Sequence, residues 1–476
     1  MYALVALLWA SAAAVHVHWS APVASWGGYG SEALQFLRGF AQLSLPSSSS
    51  GDARVTASAA QHGDAASDAY VSGLPAADRA VLLTALRRVP PPGAVCVCHS
   101  EPGAWSPASR MPARYSTPRC PPLHGCGATA GRTMFETDRL PSGWLERITA
   151  MDEVWLPSRW AADVFAEGGV PREKMRVLGE AVDGDFFSPA SGAAALAAAA
   201  AERSRGADSL PTVRSGCLAG AHGASPGCPY RFLAVGKLER RKNFAALLRA
   251  FFTEFCAGGS CGSVELHVLT STYHEAGDVR EKLAAMVAAL ACGEGGGGGG
   301  GGDDDASMHC LSAAAAAALA RSSALKVWTA VPQAQLPALY ASVDAFVLPS
   351  RGEGWGRPHV EAMAMALPVI ATDWSGSTEF LDETVGYPVP VAALAPIPDG
   401  AFAGHLQAEV SLPARRAAMR RVLAAQGEAA ARGARARERM LQRYAPAVVA
   451  ARAAKLAEDL AARVAARRGG ARGEEL

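Results

Sequence analysis

Apolar and polar positions alternate along this chain in two successive arrays. Val15-His-Val-His-Trp19 has the two-residue period of a strand, and Gly27-Gly28-Tyr29-Gly30 follows it. Leu34, Leu37 and Phe40 then recur at helical spacing over residues 32–40. Strand, glycine loop and helix open a βαβ unit. Further along, Ala76–Arg88 reads as a helix and Ala94–Cys98 as a strand. Short strands are predicted at Asp152–Leu156 and Met175–Leu178, with a helix at Arg159–Glu167 between them. Residues 44–68, rich in Ser, Ala, Gly and Asp, read as a flexible insert. Residues 190–228 show no clear period and read as a linker.

A second array begins at Tyr230. It predicts strands at Arg231–Val235, Val264–Thr270, Leu325–Trp328, Ala345–Leu348 and Pro368–Ala371. Helices fall between them at Asn243–Phe255, Val279–Leu290, Gln335–Ala341 and Pro358–Ala366. Two such arrays predict two doubly wound domains, over 15–189 and 229–440, with a cleft between them. A low-complexity Gly/Asp insert covers 293–306. The tail, 441–476, reads as a basic helix, and 412–476 as a whole is helical in pattern. No solenoid repeat is visible.

Composition agrees with that division. The chain has 476 residues, of which 50% are hydrophobic, so it is too long for one undivided core and too apolar to be disordered. A net charge of +1 gives no global attraction to nucleic acid. Alanine and arginine dominate, so single examples of either carry little information. Only six lysines occur, and two of them, Lys237 and Lys242, lie within one turn sequence. Ten cysteines are far too sparse for a small disulfide-framed scaffold. Cys96-x-Cys98-His99 and Cys120…His124-x-Cys126 lack paired zinc spacing, so ordinary thiols or a bridge near Cys120–Cys126 are expected. Met1–Ala14 is apolar with small residues at its end but has no basic start. It reads either as a signal peptide or anchor, or as the lead-in to the first strand. The basic tail reads as a solvated helix, although a basic face could also touch anionic lipid.

Two blocks carry chemistry. Pro349-Ser-Arg-Gly-Glu353-Gly-Trp-Gly-Arg-Pro358-His-Val-Glu361 follows a buried-type strand and enters a helix. Its glycines let a ligand approach the backbone, and the helix start offers free N–H groups to an anion. Glu353 and Glu361 are acceptors suited to hydroxyl-rich ligands. The second block, Gly236-Lys237-Leu-Glu-Arg-Arg-Lys242-Asn243, lies where a strand turns into a helix. Two lysines there can hold a diphosphate through charge-assisted hydrogen bonds.

These blocks resemble those of retaining glycosyltransferases with the GT-B fold, specifically glycosyltransferase family 4 (glycosyl transferases group 1). Glu353 and Glu361 match the family's Glu-x7-Glu. Gly236, Lys237 and Lys242 match its Gly-Arg/Lys-x4/5-Lys turn. Asp344–Ser350 and Pro368–Thr372 resemble the flanking strands. The resemblance implies an α/β GT-B architecture: two doubly wound Rossmann-like domains facing across a cleft, with a C-terminal helical segment. It also implies transfer of a sugar from a nucleotide-diphospho-sugar donor to a glycan, lipid or small-molecule acceptor. Lys237 and Lys242 would bind and stabilise the departing diphosphate. Glu353 would contact the transferred sugar and Glu361 the ribose. Gly354, Trp355 and Gly356 would offer backbone amides. Lys237 stands where many members have Arg, which keeps the charge but loses a bidentate fork.

In the N-terminal domain the resemblance extends to Gly27–Gly30. It puts Gly28 on the donor side and Tyr29 on the acceptor side, with Glu101 and Glu136. His99, at a strand end, would be a catalytic cleft histidine or else a structural one. His16 and His18 read as structural. Trp19, Trp26, Trp144 and Trp155 read as core or wall, with sugar stacking as the functional alternative. No Asp-x-Asp flanks the donor blocks, so neither an essential metal nor another cofactor is expected. Competing readings are a non-catalytic nucleotide-sugar-binding scaffold, a sugar-nucleotide epimerase and a phosphorylase. The last would need a pyridoxal-binding lysine late in the chain, where only Lys455 stands. The expected partners are a nucleotide-sugar and a carbohydrate or lipid acceptor, without nucleic acid, and membrane association is left open. A cleaved or anchoring Met1–Ala14 would imply the endomembrane system; otherwise the cytoplasm is expected.

Overall fold

A computed structural model describes residues 15–44, 55–106, 118–122, 124–203, 227–256, 261–272, 277–291, 323–329 and 331–473. Met1–Ala14 and the insert 293–306 lie outside these residues.

The chain divides into two compact units. One draws on the chain up to Phe135, on Arg139–Asp183 and on the part from Gln442 onward. The other comprises Glu136–Asp138 and Gly184–Leu441.

The first unit is built on strands β1 (Val15–Ala21), β2 (Val55–Gln61), β3 (Ala94–His99), β4 (Cys126–Arg132), β5 (Glu153–Leu156) and β6 (Met175–Val177). They form one parallel sheet in the order β2-β1-β3-β4-β5-β6. The order reverses between β1 and β3, the point at whose C-terminal edge open α/β sheets place their ligand-binding loops. Trp19 of β1 stacks on Phe36, with ring centroids 4.4 Å apart, and Phe40 and Trp155 complete the aromatic core. The helix Gly28–Leu43 covers this core. The C-terminal helix Pro446–Gly473 packs against it, burying Val449, Ala453, Ala457 and Leu460.

Two sequence expectations change here. The stretch 44–68 contains β2, whose sequence Val-Thr-Ala-Ser-Ala-Ala-Gln has too few large apolar residues to announce a strand. It forms because β1 offers it a full seven-residue register, Val15↔Val55 through Ala21↔Gln61. The expected Cys120–Cys126 bridge is replaced by Cys96–Cys126 and Cys98–Cys120. The cause is geometric. Cys96 and Cys98 alternate onto one face of β3, and Cys126 opens the neighbouring strand beside Ala94. Cys256 and Cys261 form a further bridge, and Cys228 is also disulfide-bonded. Peptide mapping without reductant should recover Cys96 linked to Cys126 and Cys98 linked to Cys120. A Cys120–Cys126 peptide would contradict the β3–β4 register.

The second unit contains β7 (Tyr230–Val235), β8 (Val264–Leu269), β9 (Leu325–Trp328), β10 (Ala345–Leu348), β11 (Val369–Thr372) and β12 (Tyr387–Val389). This sheet is also parallel, ordered β12-β11-β10-β7-β8-β9. Its reversal lies between β7 and β10. Phe232, Phe244, Phe251, Phe252 and Phe346 fill its core. A hairpin of β13 (Ala393–Pro396) and β14 (Leu406–Glu409) is added beyond β12. Pro189–Arg203, the start of the expected linker, is instead a helix that packs on Leu336–Ala341. Its alanine run hides the period but favours helix by propensity. Among the described residues no helix is long and apolar enough to cross a membrane.

Candidate functional site

The two blocks singled out in the sequence leave adjacent strands of the second sheet, one on each side of its reversal. Gly236 follows β7, and the turn Arg240–Lys242 leads into the helix Phe244–Phe255. Asn243 makes the corner with φ 59°, a left-handed conformation that Asn tolerates better than most residues. A side chain at Gly236 would press on the stem of Lys242, 3.2 Å from its Cδ. The glycine therefore lets the lysine fold back across the strand end. The other loop, after β10, carries Glu353 and ends at Gly356, which caps the helix Arg357–Ala364 with φ 115°. Pro358 lies in the first turn of that helix.

Between the loops the charges meet. The Lys242 Nζ donates to Glu353 Oε1 at 2.6 Å, and Arg241 Nη1 donates to Glu353 Oε2 at 2.9 Å. Both the Lys242 and the Glu353 side chain are only 8% exposed. Arg241 also donates to the Gly352 carbonyl at 2.8 Å and to Glu239 at 2.8 Å, and lies 3.5 Å from Glu136. The Glu353 backbone N–H donates to Ser375 Oγ at 2.9 Å. Ser375 itself sits at φ 68°, and Gly376 beside it has no room for a side chain against the Gly354 carbonyl. A strained residue bonded to the central carboxylate's own amide marks a position fixed by its surroundings.

The two carboxylates are tuned in opposite directions. Burial pushes Glu353 up, but the Lys242 and Arg241 charges outweigh it and hold Glu353 well below the usual carboxylate range. Glu361, at the helix start, is pushed up by burial. It accepts from the Tyr340 hydroxyl at 2.9 Å, with Arg357 3.8 Å away. Lys242 is brought down from its usual value, chiefly by burial and then by Arg241, against the pull of Glu353. Glu353 is thus a permanent anion: it can accept a hydrogen bond or face a developing cation, and it cannot serve as a general acid.

The other expected residues fall as follows. Lys237 is exposed at the end of β7. Gly354 and Gly356 lie in the buried loop, and Trp355 is buried against Phe380, a wall rather than a free ring. Glu136, expected in the N-terminal domain, counts with the second unit and faces Arg241. Burial pushes its carboxyl up. Gly28 is exposed at the first turn of its helix, and Glu101 is exposed after β3. Tyr29 turns its hydroxyl toward Thr133 at 3.3 Å and the Met134 carbonyl at 3.4 Å.

His99 is a correction. It is fully buried, and Trp19 Nε1 donates to its Nδ1 at 2.9 Å. An indole N–H only donates, so the His99 proton sits on Nε2 and points to Glu32 Oε2 at 2.9 Å. Glu32 in turn takes two hydrogen bonds from Arg132. His99 is a member of this internal network and does not touch an open crevice.

Sequence reasoning missed Arg241, Ser375 and the Glu32–Arg132 pair. Arginine abundance hid Arg241 and Arg132, and Ser375 lies 22 residues from the carboxylate it supports.

Residues 300–398 match the family model described as Glycosyl transferases group 1. That stretch contains the Glu353 loop. No curated protein sequence matches the chain. Solved structures with the same fold include Anabaena Alr3699/HepE in complex with UDP and glucose. It shares 12% identity over 92% of this chain and 98% of that one, with TM-score 0.55. A glycosyltransferase from Rickettsia africae shares 12% over 94% and 98%, with TM-score 0.55. Sucrose-phosphate synthase from Thermosynechococcus elongatus shares 15% over 94% and 100%, with TM-score 0.54. Two parallel six-stranded sheets of this kind are the GT-B architecture. The chain is a glycosyltransferase, and its group 1 match covers the loop that carries Glu353.

Proposed function

We propose that this glycosyltransferase takes its sugar from a nucleoside-diphosphate-sugar and transfers it with retention at the anomeric carbon. The observation that carries the reading is the buried Lys242–Glu353–Arg241 cluster at the reversal of the second sheet, where open α/β sheets hold their ligands. The donor diphosphate would lie over the turn Gly236–Lys242 and take the Lys237 and Lys242 ammonium groups. Arg241 would stay on Glu353 and keep that carboxylate in place. Glu353 would face the sugar, and Glu361 the ribose.

As the bond from the anomeric carbon to the diphosphate oxygen breaks, negative charge gathers on the diphosphate and positive charge on the sugar. Lys237, Lys242 and the amides of Gly354 and Gly356 would answer the first. The Glu353 anion would answer the second. The acceptor hydroxyl then bonds to the same face of the anomeric carbon and gives its proton to a departing diphosphate oxygen. Such fixed charge is the main catalytic term available here. No metal or further cofactor is part of this scheme.

The Anabaena neighbour was solved with UDP and glucose, so uridine donors come first in the test. Thermal unfolding should be followed with UDP, GDP, ADP and their sugar conjugates. A ligand at ~100 times its Kd adds ~2.7 kcal/mol to stability. The expected result is a selective rise in Tm with one nucleotide, lost in Lys242→Ala. No rise with any of them would overturn the donor assignment.

Compartment is part of the same proposal. Disulfides join Cys96 of β3 to Cys126 of β4 and Cys98 of β3 to Cys120 in the connection between those strands, and such bonds persist in oxidising surroundings. They favour the endomembrane alternative for this enzyme over the cytoplasm.

A further inference from the structure

Trp26 is the one exposed Trp or Phe among the described residues, 63% exposed. It lies in the loop between β1 and the helix Gly28–Leu43, at the reversal of the first sheet. That loop is not loose. Ala24 N–H donates to Gln61 Oε1 at 2.8 Å, and Ser25 donates through both its amide and its hydroxyl to the Pro22 carbonyl. Ser67 N–H donates to the Ala24 carbonyl at 2.7 Å, and His62 N–H donates to Ala21 at 2.9 Å. The buried Tyr70 meets the indole edge-on, with centroids 5.1 Å apart at 73°. On the other side, a Cβ built on Gly27 or Gly28 meets nothing within 4 Å. A large aromatic ring is therefore braced from behind and held in water with open space beside it.

We propose that Trp26 is a stacking platform for a sugar ring of the acceptor, so that this enzyme glycosylates a carbohydrate or glycoside. The proposal rests on the glycosyltransferase reading above. One face of a pyranose is a patch of C–H groups. Such a face lies flat on an indole, burying apolar area and placing polarised C–H bonds over the negative ring face. The edge of the sugar keeps its hydroxyls in water, which suits a ring that is open on one side. A lipid chain would instead ask for a long apolar groove, whereas Trp26 is a single exposed ring in a run of small residues, Ala24-Ser25 before it and Gly27-Gly28 after it. The segment that braces the ring, residues 62–70, carries the exposed Asp64 and Asp68.

The test uses the full chain labelled with fluorotryptophan, the Trp26 signal being assigned by its loss in Trp26→Phe. Probes are methyl glucoside, methyl mannoside, methyl galactoside, their disaccharides, UDP, and decanoate as a sugar-free alkyl chain. The expected result is a saturable shift of the Trp26 signal with at least one glycoside and none with UDP or decanoate. With the responding glycoside as acceptor, Trp26→Ala should raise the acceptor KM ~10-fold, and Trp26→Tyr should restore most of it. No shift with any glycoside into the tens of millimolar, or a shift with UDP or decanoate alone, overturns the platform. The donor-induced Tm rise separates the two readings, because it runs through Lys242. Its absence in the wild-type chain would count against the donor site, and its presence alongside a silent Trp26 would count against the platform alone.

Discussion

Glu353→Gln and Lys242→Ala are each expected to lower turnover roughly tenfold or more, which is ~1.4 kcal/mol or more of transition-state stabilisation, with the fold intact. Removal of one preorganised electrostatic partner commonly costs roughly 10²–10³ in kcat, so tenfold is the lower bound. The two variants should differ in kind. Lys242→Ala removes a cation that the donor diphosphate would contact, so the nucleotide-induced rise in Tm should fall with the rate. Glu353→Gln keeps the shape and one acceptor oxygen but removes the anion that Lys242 and Arg241 face at 2.6 and 2.9 Å. Its loss should fall mainly on kcat, because the nucleotide would still find both lysines. The double variant should be less impaired than the product of the singles, since the two groups are direct partners. Near-wild-type turnover in both single variants would sink the site.

The second unit was the more legible half, and the reason lies in its residues. Ala345–Leu348 and Val369–Thr372 are buried on both faces, so they read as continuous apolar runs. The glycines and acids after β10 stand out against an alanine- and arginine-rich background, and so do two of six lysines after β7. What spacing cannot reveal is which charge meets which. Arg241 looked like one arginine among many, yet it joins Glu353, Glu239 and Glu136 from one position. β2 was hidden for a different reason. An edge strand of small residues takes its conformation from its neighbour's free hydrogen-bonding groups rather than from its own side chains. The sequence leaves His99 with two readings because its strand-end position is shared by ligand-facing and inward-facing histidines. The partner that decides between them, Glu32, lies 67 residues away.

That inward partner sets the largest expected effect on stability. Glu32, His99 and Arg132 are each wholly buried. Arg132 donates to Glu32 Oε1 through Nε at 2.8 Å and Nη2 at 2.6 Å, and to the Leu178 carbonyl through Nη1 at 2.5 Å. Glu32→Ala would leave a guanidinium in the core without its anion, at a cost of roughly 3–5 kcal/mol. At ~2–4 °C per kcal/mol for a unit of this size, Tm should fall by about 6–20 °C. Glu32→Leu combined with Arg132→Met should recover much of that loss, because it removes both buried charges together. Acid should act through the same residues. Burial pushes Glu32 up, but Arg132 and His99 outweigh it and bring it down to about 2, so its contribution is full above the ordinary carboxylate range and fades as pH falls toward 2. His99 is lowered chiefly by burial, so the unfolded chain binds a proton below pH ~6.5 that the folded chain refuses. His16, His18, His62, His267 and His359 are lowered in the same way, and each adds to the slope. Burial pushes Asp344, Glu136 and Glu361 up, which opposes that slope, so the readout is a difference between chains: from pH 7 down to 5 the wild-type Tm should drop relative to that of His99→Gln. An acid slope unchanged in His99→Gln, or a Glu32→Ala chain as stable as the wild type, would mean that the buried network does not hold this unit together.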